Sequence, residues 1–143
     1  QRQMMEQLRK MLRRHEGVKT HFYKDHLGLE TIGVGRCIAP GSLGLSDDEV
    51  DYLLDNDVVR CIKELTRALP WFNRLDDVRR DALIDLCFNL GLTRLLVFKK
   101  ALAAMEASEW LTAKIELLDS RWAKQVGNRS AEIAEMIRTG EYQ

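Results

Sequence analysis

The sequence predicts a mixed α+β fold that is mostly helical, with a small strand-containing N-terminal lobe and a helical C-terminal lobe joined by a long helix. Apolar residues recur at three- and four-residue steps over most of the chain, as on one face of an α-helix. Residues 18–38 instead combine aromatic and β-branched residues with closely spaced glycines, which is typical of short strands and tight turns. With 143 residues, 45% of them apolar, the chain is long enough for a single domain over residues 1–143.

The first predicted element is a helix at residues 2–15, which we expect to pack on the C-terminal lobe. Gly17 ends this helix directly after Glu16, because a glycine supplies the backbone freedom that a helix end needs. The small lobe then covers about residues 16–45. Its segment Thr31-Ile32-Gly33-Val34-Gly35 indicates a strand that a ligand or another backbone segment approaches closely on one face.

The linking helix is predicted at about residues 46–69, where Ser46 and Glu49 match a capping box and Pro70 stops the helix. It connects the small lobe to the helical lobe, which covers about residues 70–143.

Within the helical lobe, a helix at residues 76–90 is apolar nearly all round in its second half, which predicts that other helices bury it. Thr93, Ser108 and Asn128 are the expected caps of later helices, because their short polar side chains can accept hydrogen bonds from a helix N-terminus.

Composition excludes several classes of function. The 22 basic and 22 acidic residues balance, whereas nucleic-acid-binding proteins usually carry a clear positive excess. No apolar run is long enough to cross a membrane. The three cysteines and three histidines lack zinc or redox spacing, so we predict no metal site and no cofactor. The chain begins at Gln1 and not at Met, which leaves an upstream leader, anchor or partner domain open.

The candidate catalytic residues lie in the small lobe. Hydrolysis of a glycosidic bond usually needs one carboxyl group that protonates the leaving oxygen and a second that acts on the other face of the sugar. Glu16 at a helix end and Asp25 on a nearby turn could face each other across a groove. Spacing alone does not decide the matter, since 22 acidic residues offer many such pairs.

The complete pattern is specific. It consists of His15-Glu16-Gly17, Tyr23-Lys24-Asp25, Gly28 and Thr31-Ile32-Gly33-Val34-Gly35. This pattern resembles the phage lysozymes of the T-even type, a family of glycoside hydrolases with an E-G, an acid nine residues later and a threonine six further on that opens a T-I-G-x-G strand. All of these spacings occur here, and the resemblance extends over about residues 11–140.

The resemblance implies a lysozyme-like two-lobe fold and a muramidase. Such an enzyme hydrolyses the β-1,4 bond between N-acetylmuramic acid and N-acetylglucosamine in bacterial peptidoglycan with inversion of configuration. Glu16 would be the general acid, Asp25 the water-activating base, and Thr31 the hydroxyl that helps to hold the water. Inversion requires carboxyl groups about 6.5–9.5 Å apart, so that a water fits between them.

The resemblance also implies supporting residues. Arg129 matches an arginine that pairs with the catalytic glutamate, which would position Glu16 at some cost in proton availability because a nearby cation lowers a carboxyl pKa. Phe88 matches a position that lines the substrate groove, and packing in the core is an equally good interpretation of it. Cys37 falls where the family contacts substrate with an aliphatic side chain.

The sequence departs from the family at three further positions. Arg36 replaces a histidine that forms a stabilising ion pair in the T-even type, and Ala101 and Glu116 replace polar groups that contact sugar.

The resemblance implies a peptidoglycan glycan strand as the substrate, and we expect no nucleic-acid partner and no stable membrane insertion. We expect a monomer that stays in the host cytoplasm until lysis and then reaches the periplasm and cell wall with the help of a holin.

Two other interpretations stay open. A lytic transglycosylase would cleave the same bond without water, using one catalytic glutamate. A catalytically inactive wall-binding or structural module of a phage particle would keep the fold without the reaction. A helical nucleic-acid binder is disfavoured by the zero net charge.

Overall fold

The computed structural model describes residues 5–143, and the chain divides into two compact units, residues 1–52 and residues 53–143. The described residues contain a three-stranded antiparallel sheet and eight α-helices, which confirms the predicted α+β class with mostly helical content. The assignment of two lobes to one lysozyme-like domain stays a prediction.

The first unit holds helix α1, the sheet and the start of helix α2. Helix α1 spans Glu6–Glu16, and the part of its predicted range at residues 2–4 lies outside the described residues. The strands follow in the order β1-β2-β3, each paired with the next. They span Lys19–Lys24 (β1), Glu30–Gly33 (β2) and Arg36–Cys37 (β3).

Helix α2 spans Asp47–Ala68 and begins with the predicted capping box. Glu49 Oε1 accepts a hydrogen bond from the Ser46 backbone N–H at 2.9 Å, and Ser46 Oγ accepts one from the Glu49 N–H at 3.4 Å. The helix ends two residues before Pro70, because the residue that precedes a proline is disfavoured in the helical conformation.

The second unit is built around helix α3, which spans Asp77–Leu90 and buries Leu83 and Leu86 almost completely. This confirms that the helix predicted at residues 76–90 is enclosed by others. Asp76 caps it by accepting the Arg79 backbone N–H at 3.1 Å. The other helices of this unit are α4 (Leu92–Leu95), α5 (Lys99–Glu106), α6 (Trp110–Leu118), α7 (Arg121–Val126) and α8 (Asn128–Thr139), with a short 3-10 turn at Phe72–Arg74.

The caps predicted at Thr93, Ser108 and Asn128 are wrong. Thr93 lies inside α4 and Asn128 is the first residue of α8, and both helices are entered from a glycine with positive φ, Gly91 at 79° and Gly127 at 59°. The backbone of Ser108 is itself left-handed, with φ 58°, and α6 begins two residues later. In each case the change of chain direction occurs just before the helix, so no side-chain cap forms there.

Arg79 of α3 ties that helix to the end of α8. Its Nε donates to the carbonyl of Ile137 at 2.6 Å and its Nη2 to that of Arg138 at 3.0 Å. Its guanidinium also lies 3.9 Å from the ring centroid of Trp110. The last carbonyls of a helix lack partners within the helix, so Arg79 satisfies two groups that would otherwise need water.

Candidate active site

Glu16 is the last residue of α1, and the chain leaves the helix at Gly17 with φ 78°. The Gly17 N–H still closes the last turn by donating to the Arg13 carbonyl at 2.9 Å. The Glu16 side chain is exposed, and its position at the end of the helix is as predicted.

The carboxyl group of Glu16 lies against the turn between β2 and β3. A Cβ atom placed on Gly35 would be 3.0 Å from Glu16 Oε2 and 3.3 Å from its Cδ. The acid side chain therefore packs on the backbone of that turn at a position where a larger residue would collide with it.

Asp25 follows β1 directly and is held as an anion by the turn that it opens. Its Oδ1 accepts the backbone N–H of Leu29 at 2.9 Å and that of Leu27 at 2.8 Å. These bonds, the Leu29 bond most strongly, hold the pKa of Asp25 below its ordinary value against a weaker opposing effect of desolvation. Within residues 5–143 no hydrogen bond reaches Oδ2, which leaves that oxygen open to accept one.

Thr31 lies in β2 opposite Tyr23 of β1 and Cys37 of β3, and its relative exposure is only 3%. Its hydroxyl donates to the Leu29 carbonyl at 2.9 Å, so its oxygen lone pairs stay available as acceptors. The two peptide groups of Leu29 thus connect Asp25 to Thr31. One donates to the carboxylate, and the other accepts from the hydroxyl.

The other residues of β3 have distinct partners. Cys37 is half-buried beside Thr31. The Arg36 Nη1 donates to Glu49 Oε1 at 2.7 Å and to the Gly44 carbonyl at 3.0 Å. The hydrogen bond from Arg36 and then that from the Ser46 N–H lower the pKa of Glu49 to about 2. Arg36 thus forms an ion pair with the first turn of α2.

Phe88 and Arg129 lie in the second unit. Phe88 is 45% exposed, and both residues line a cavity of about 410 Å³ formed by α2, α3 and α8. Arg129 Nε donates to Asp85 Oδ1 at 2.9 Å, and its Nη2 lies 2.9 Å from the same oxygen. Substrate contact by Phe88 and Cys37 and the pairing of Arg129 with Glu16 stay predictions.

Sequence reasoning missed three contributors to these arrangements, which are the peptide groups of Leu29, the bare Cα of Gly35 and the carboxylate of Asp85. The Asp25-His26-Leu27-Gly28 segment carries a turn signal that could have indicated the first, since aspartate often accepts hydrogen bonds from the backbone that follows it. The other two arise between elements that are distant in sequence.

The described part of the chain shows no group of three histidine, cysteine, aspartate or glutamate side chains placed to hold a metal ion. Within the same residues, none of the helices combines the length and the apolar character that a membrane crossing requires.

Several known proteins are similar to this chain in sequence. A family model described as phage lysozyme matches residues 13–138. Two proteins of Dictyostelium discoideum, described as probable T4-type lysozymes 2 and 1, are 29% and 27% identical over 96% of this chain and 96% of each relative. The pre-baseplate central spike protein Gp5 of Enterobacteria phage T4 is 28% identical over 91% of this chain, which corresponds to 27% of that protein.

Proposed function

Because the chain belongs to the phage lysozyme family and is a glycoside hydrolase of the lysozyme type, we propose that it hydrolyses the β-1,4 bond between N-acetylmuramic acid and N-acetylglucosamine in bacterial peptidoglycan. In this proposal Glu16 is the general acid, Asp25 the base and Thr31 its partner in holding water. The observation that carries it is the turn at residues 25–31, whose Leu29 backbone binds both the Asp25 carboxylate and the Thr31 hydroxyl.

The water side of the reaction is supported by the acceptors that this turn presents. A nucleophilic water has two protons to donate, and Asp25 Oδ2 and Thr31 Oγ1 are both able to accept one. As the water attacks, its proton passes to Asp25, which must be ionised to receive it. The lowered pKa of Asp25 keeps it in that form.

The leaving-group side is supported by the place of Glu16. Its carboxyl is exposed and lies on the β2–β3 turn, whereas Asp25 lies on the β1–β2 turn, so strand β2 separates the two. Three residue steps along a strand span about 10 Å, and side chains can shorten or lengthen the gap between the carboxyls. Inversion needs a gap of about 6.5–9.5 Å between the carboxyls and retention one of about 5–5.5 Å, so the anomeric outcome is the measurement that decides between them.

The test is the release of reducing N-acetylmuramic ends from purified peptidoglycan by the parent chain and by the variants Glu16→Gln and Asp25→Asn. Each variant should lose at least about 100-fold in kcat, since general acid–base groups contribute about 10²–10⁴-fold. Glu6→Gln is the matched control, because Glu6 is an exposed acid in the same helix whose only ion pair is a 3.8 Å contact with Arg9 among the described residues. Anomeric analysis of the first product by NMR should show inversion. Equal activity of Glu16→Gln and Glu6→Gln would refute the assignment of the acid.

Two other outcomes would identify the alternatives. Anhydro-muramic ends among the products would show a lytic transglycosylase. Binding of the folded chain to walls without release of any ends would show an inactive module. The similarity to about a quarter of a spike protein gives that second possibility its basis, since there a related segment is part of a larger chain.

We also propose that the enzyme acts as a monomer and reaches the wall from the host cytoplasm with the help of a holin. Sedimentation of the purified chain tests the monomeric state. Fractionation of producing cells before and after permeabilisation of the inner membrane tests the route to the wall.

A further inference from the structure

We propose that Gly35 is a positioning residue for the catalytic acid. The bare face of its Cα is the surface against which the Glu16 carboxyl lies, and the Arg36–Glu49 ion pair holds that surface in place. This inference rests on the proposed role of Glu16, and its test is arranged so that the two can fail separately.

A side chain at residue 35 would make a contact with Glu16 that is tighter than most Cβ contacts in proteins. A Cβ on Gly35 would meet Glu16 Oε2 at 3.0 Å, Cδ at 3.3 Å and Cγ at 3.4 Å, so the whole outer half of the Glu16 side chain lies along this glycine. The backbone of Glu16 is fixed as the last residue of α1. An added methyl group would therefore be accommodated by rotation of the carboxyl away from the turn.

Gly33 provides an internal control for backbone strain. Gly33 and Gly35 both have φ 70°, a conformation that costs any larger residue energy irrespective of its surroundings. Around a Cβ on Gly33, no heavy atom of the described residues beyond its chain neighbours lies within 4 Å. Alanine at residue 33 thus introduces the strain alone, whereas alanine at residue 35 introduces the same strain and a collision with Glu16.

The turn that carries Gly35 is anchored at the next residue. Arg36 pairs with Ile32 in the sheet, and its guanidinium binds both Glu49 Oε1 and the Gly44 carbonyl. Because the ion pair lies one residue from Gly35, the turn cannot easily retreat from the Glu16 carboxyl. The Arg36–Glu49 ion pair thus helps to position the Glu16 carboxyl by holding the backbone of Gly35 in place.

A small displacement of a general acid has a large effect on rate. The acid must come within about 2.6–3.2 Å of the glycosidic oxygen, and a misplacement of about 1 Å costs about 100-fold. A Cβ on Gly35 would displace the carboxyl by only a few tenths of an ångström, so we expect Gly35→Ala to lower kcat by about 3- to 10-fold with KM changed less than about twofold, and Gly33→Ala to lower kcat less.

The first experiment measures kcat and KM on peptidoglycan for both variants and, in parallel, the ¹³C carboxyl resonance of Glu16 in uniformly labelled protein, assigned with Glu16→Gln. We expect the Glu16 resonance to move in Gly35→Ala and not in Gly33→Ala. Equal kinetic losses in the two variants, or an unmoved resonance in Gly35→Ala, would overturn the proposal. If the resonance moves as expected while Glu16→Gln keeps full activity, the positioning stands and the assignment of Glu16 as the acid fails.

A double-mutant cycle covers the case in which Gly35→Ala folds poorly. Glu16→Asp shortens the side chain by one methylene group and withdraws the carboxyl from the turn. The loss in denaturation midpoint caused by Gly35→Ala should therefore shrink in the Glu16→Asp background, while that caused by Gly33→Ala should not. An undiminished loss, or failure of Gly35→Ala to fold in both backgrounds while Gly33→Ala folds, would show that the cost does not arise at Glu16.

Discussion

Replacement of Arg79 by alanine should destabilise the second unit strongly, although this residue is far in sequence from the α8 carbonyls that it binds. The variant loses hydrogen bonds to the carbonyls of Ile137 and Arg138 and the contact with Trp110. Hydrogen bonds from a charged donor contribute about 1.5–3 kcal/mol each, and a cation–π contact about 0.5–2 kcal/mol. The Asp76 ion pair is partly exposed and adds little. Taking the lower ends, because water can enter the vacated space, we expect a loss of about 3–4 kcal/mol.

Arg80 is the matched control, since it is the next residue of the same helix and its only described ion pair is with the exposed Asp77. Arg80→Ala should cost less than about 1 kcal/mol. Denaturant unfolding followed by tryptophan fluorescence reports on this unit, because Trp71, Trp110 and Trp122 all lie in it. Arg79→Lys keeps the charge but cannot bond two carbonyls in a fork, so it should recover only part of the loss. A loss in Arg79→Ala no greater than in Arg80→Ala, or full recovery by lysine, would refute the reasoning.

Three further predictions concern the first unit. Thr31→Ser should retain most of the activity, whereas Thr31→Val, which removes the hydroxyl from a buried position, should lower kcat by at least about tenfold, and a fully active valine variant would exclude the hydroxyl from the reaction. The acid limb of the profile of kcat/KM against pH should lie below 3.8, the ordinary pKa of aspartate, because the pKa of Asp25 is lowered; a limb above that value would contradict its role as the base. The Arg36–Glu49 pair stabilises the fold while Glu49 is ionised. The excess stability of the parent over Glu49→Gln should therefore be complete above about pH 4.5 and disappear as the pH falls towards 2. A difference in melting temperature that stays constant across that range would contradict this role of the pair.

The sequence predicted the features that depend on neighbouring residues. The capping box at Ser46 and Glu49 and the end of α1 after Glu16 follow from interactions within one helical turn, and the burial of α3 follows from the apolar residues that cover nearly all sides of its second half. Asp25 and Thr31 were singled out by the resemblance to the phage lysozymes, and the structure shows that a single short turn connects them.

The features that escaped prediction depend on contacts between distant segments. The Glu16 carboxyl meets Gly35, Arg36 meets Glu49, and Arg129 meets Asp85 only after the elements have packed. The wrong caps have a different cause. Ser108 has a good capping side chain, but a positive φ there and at the glycines before α4 and α8 already turns the chain into the helix.

The part played by the Leu29 backbone affects how mutational scans of this chain should be interpreted. The side chain of Leu29 is 40% exposed, so alanine at this position should have almost no effect, and a scan would record the residue as dispensable. Yet its amide binds the Asp25 carboxylate and its carbonyl accepts from the Thr31 hydroxyl. Replacement of that amide by an ester through chemical synthesis would remove the donor and keep every side chain, and it would reveal a dependence that genetic substitution cannot detect.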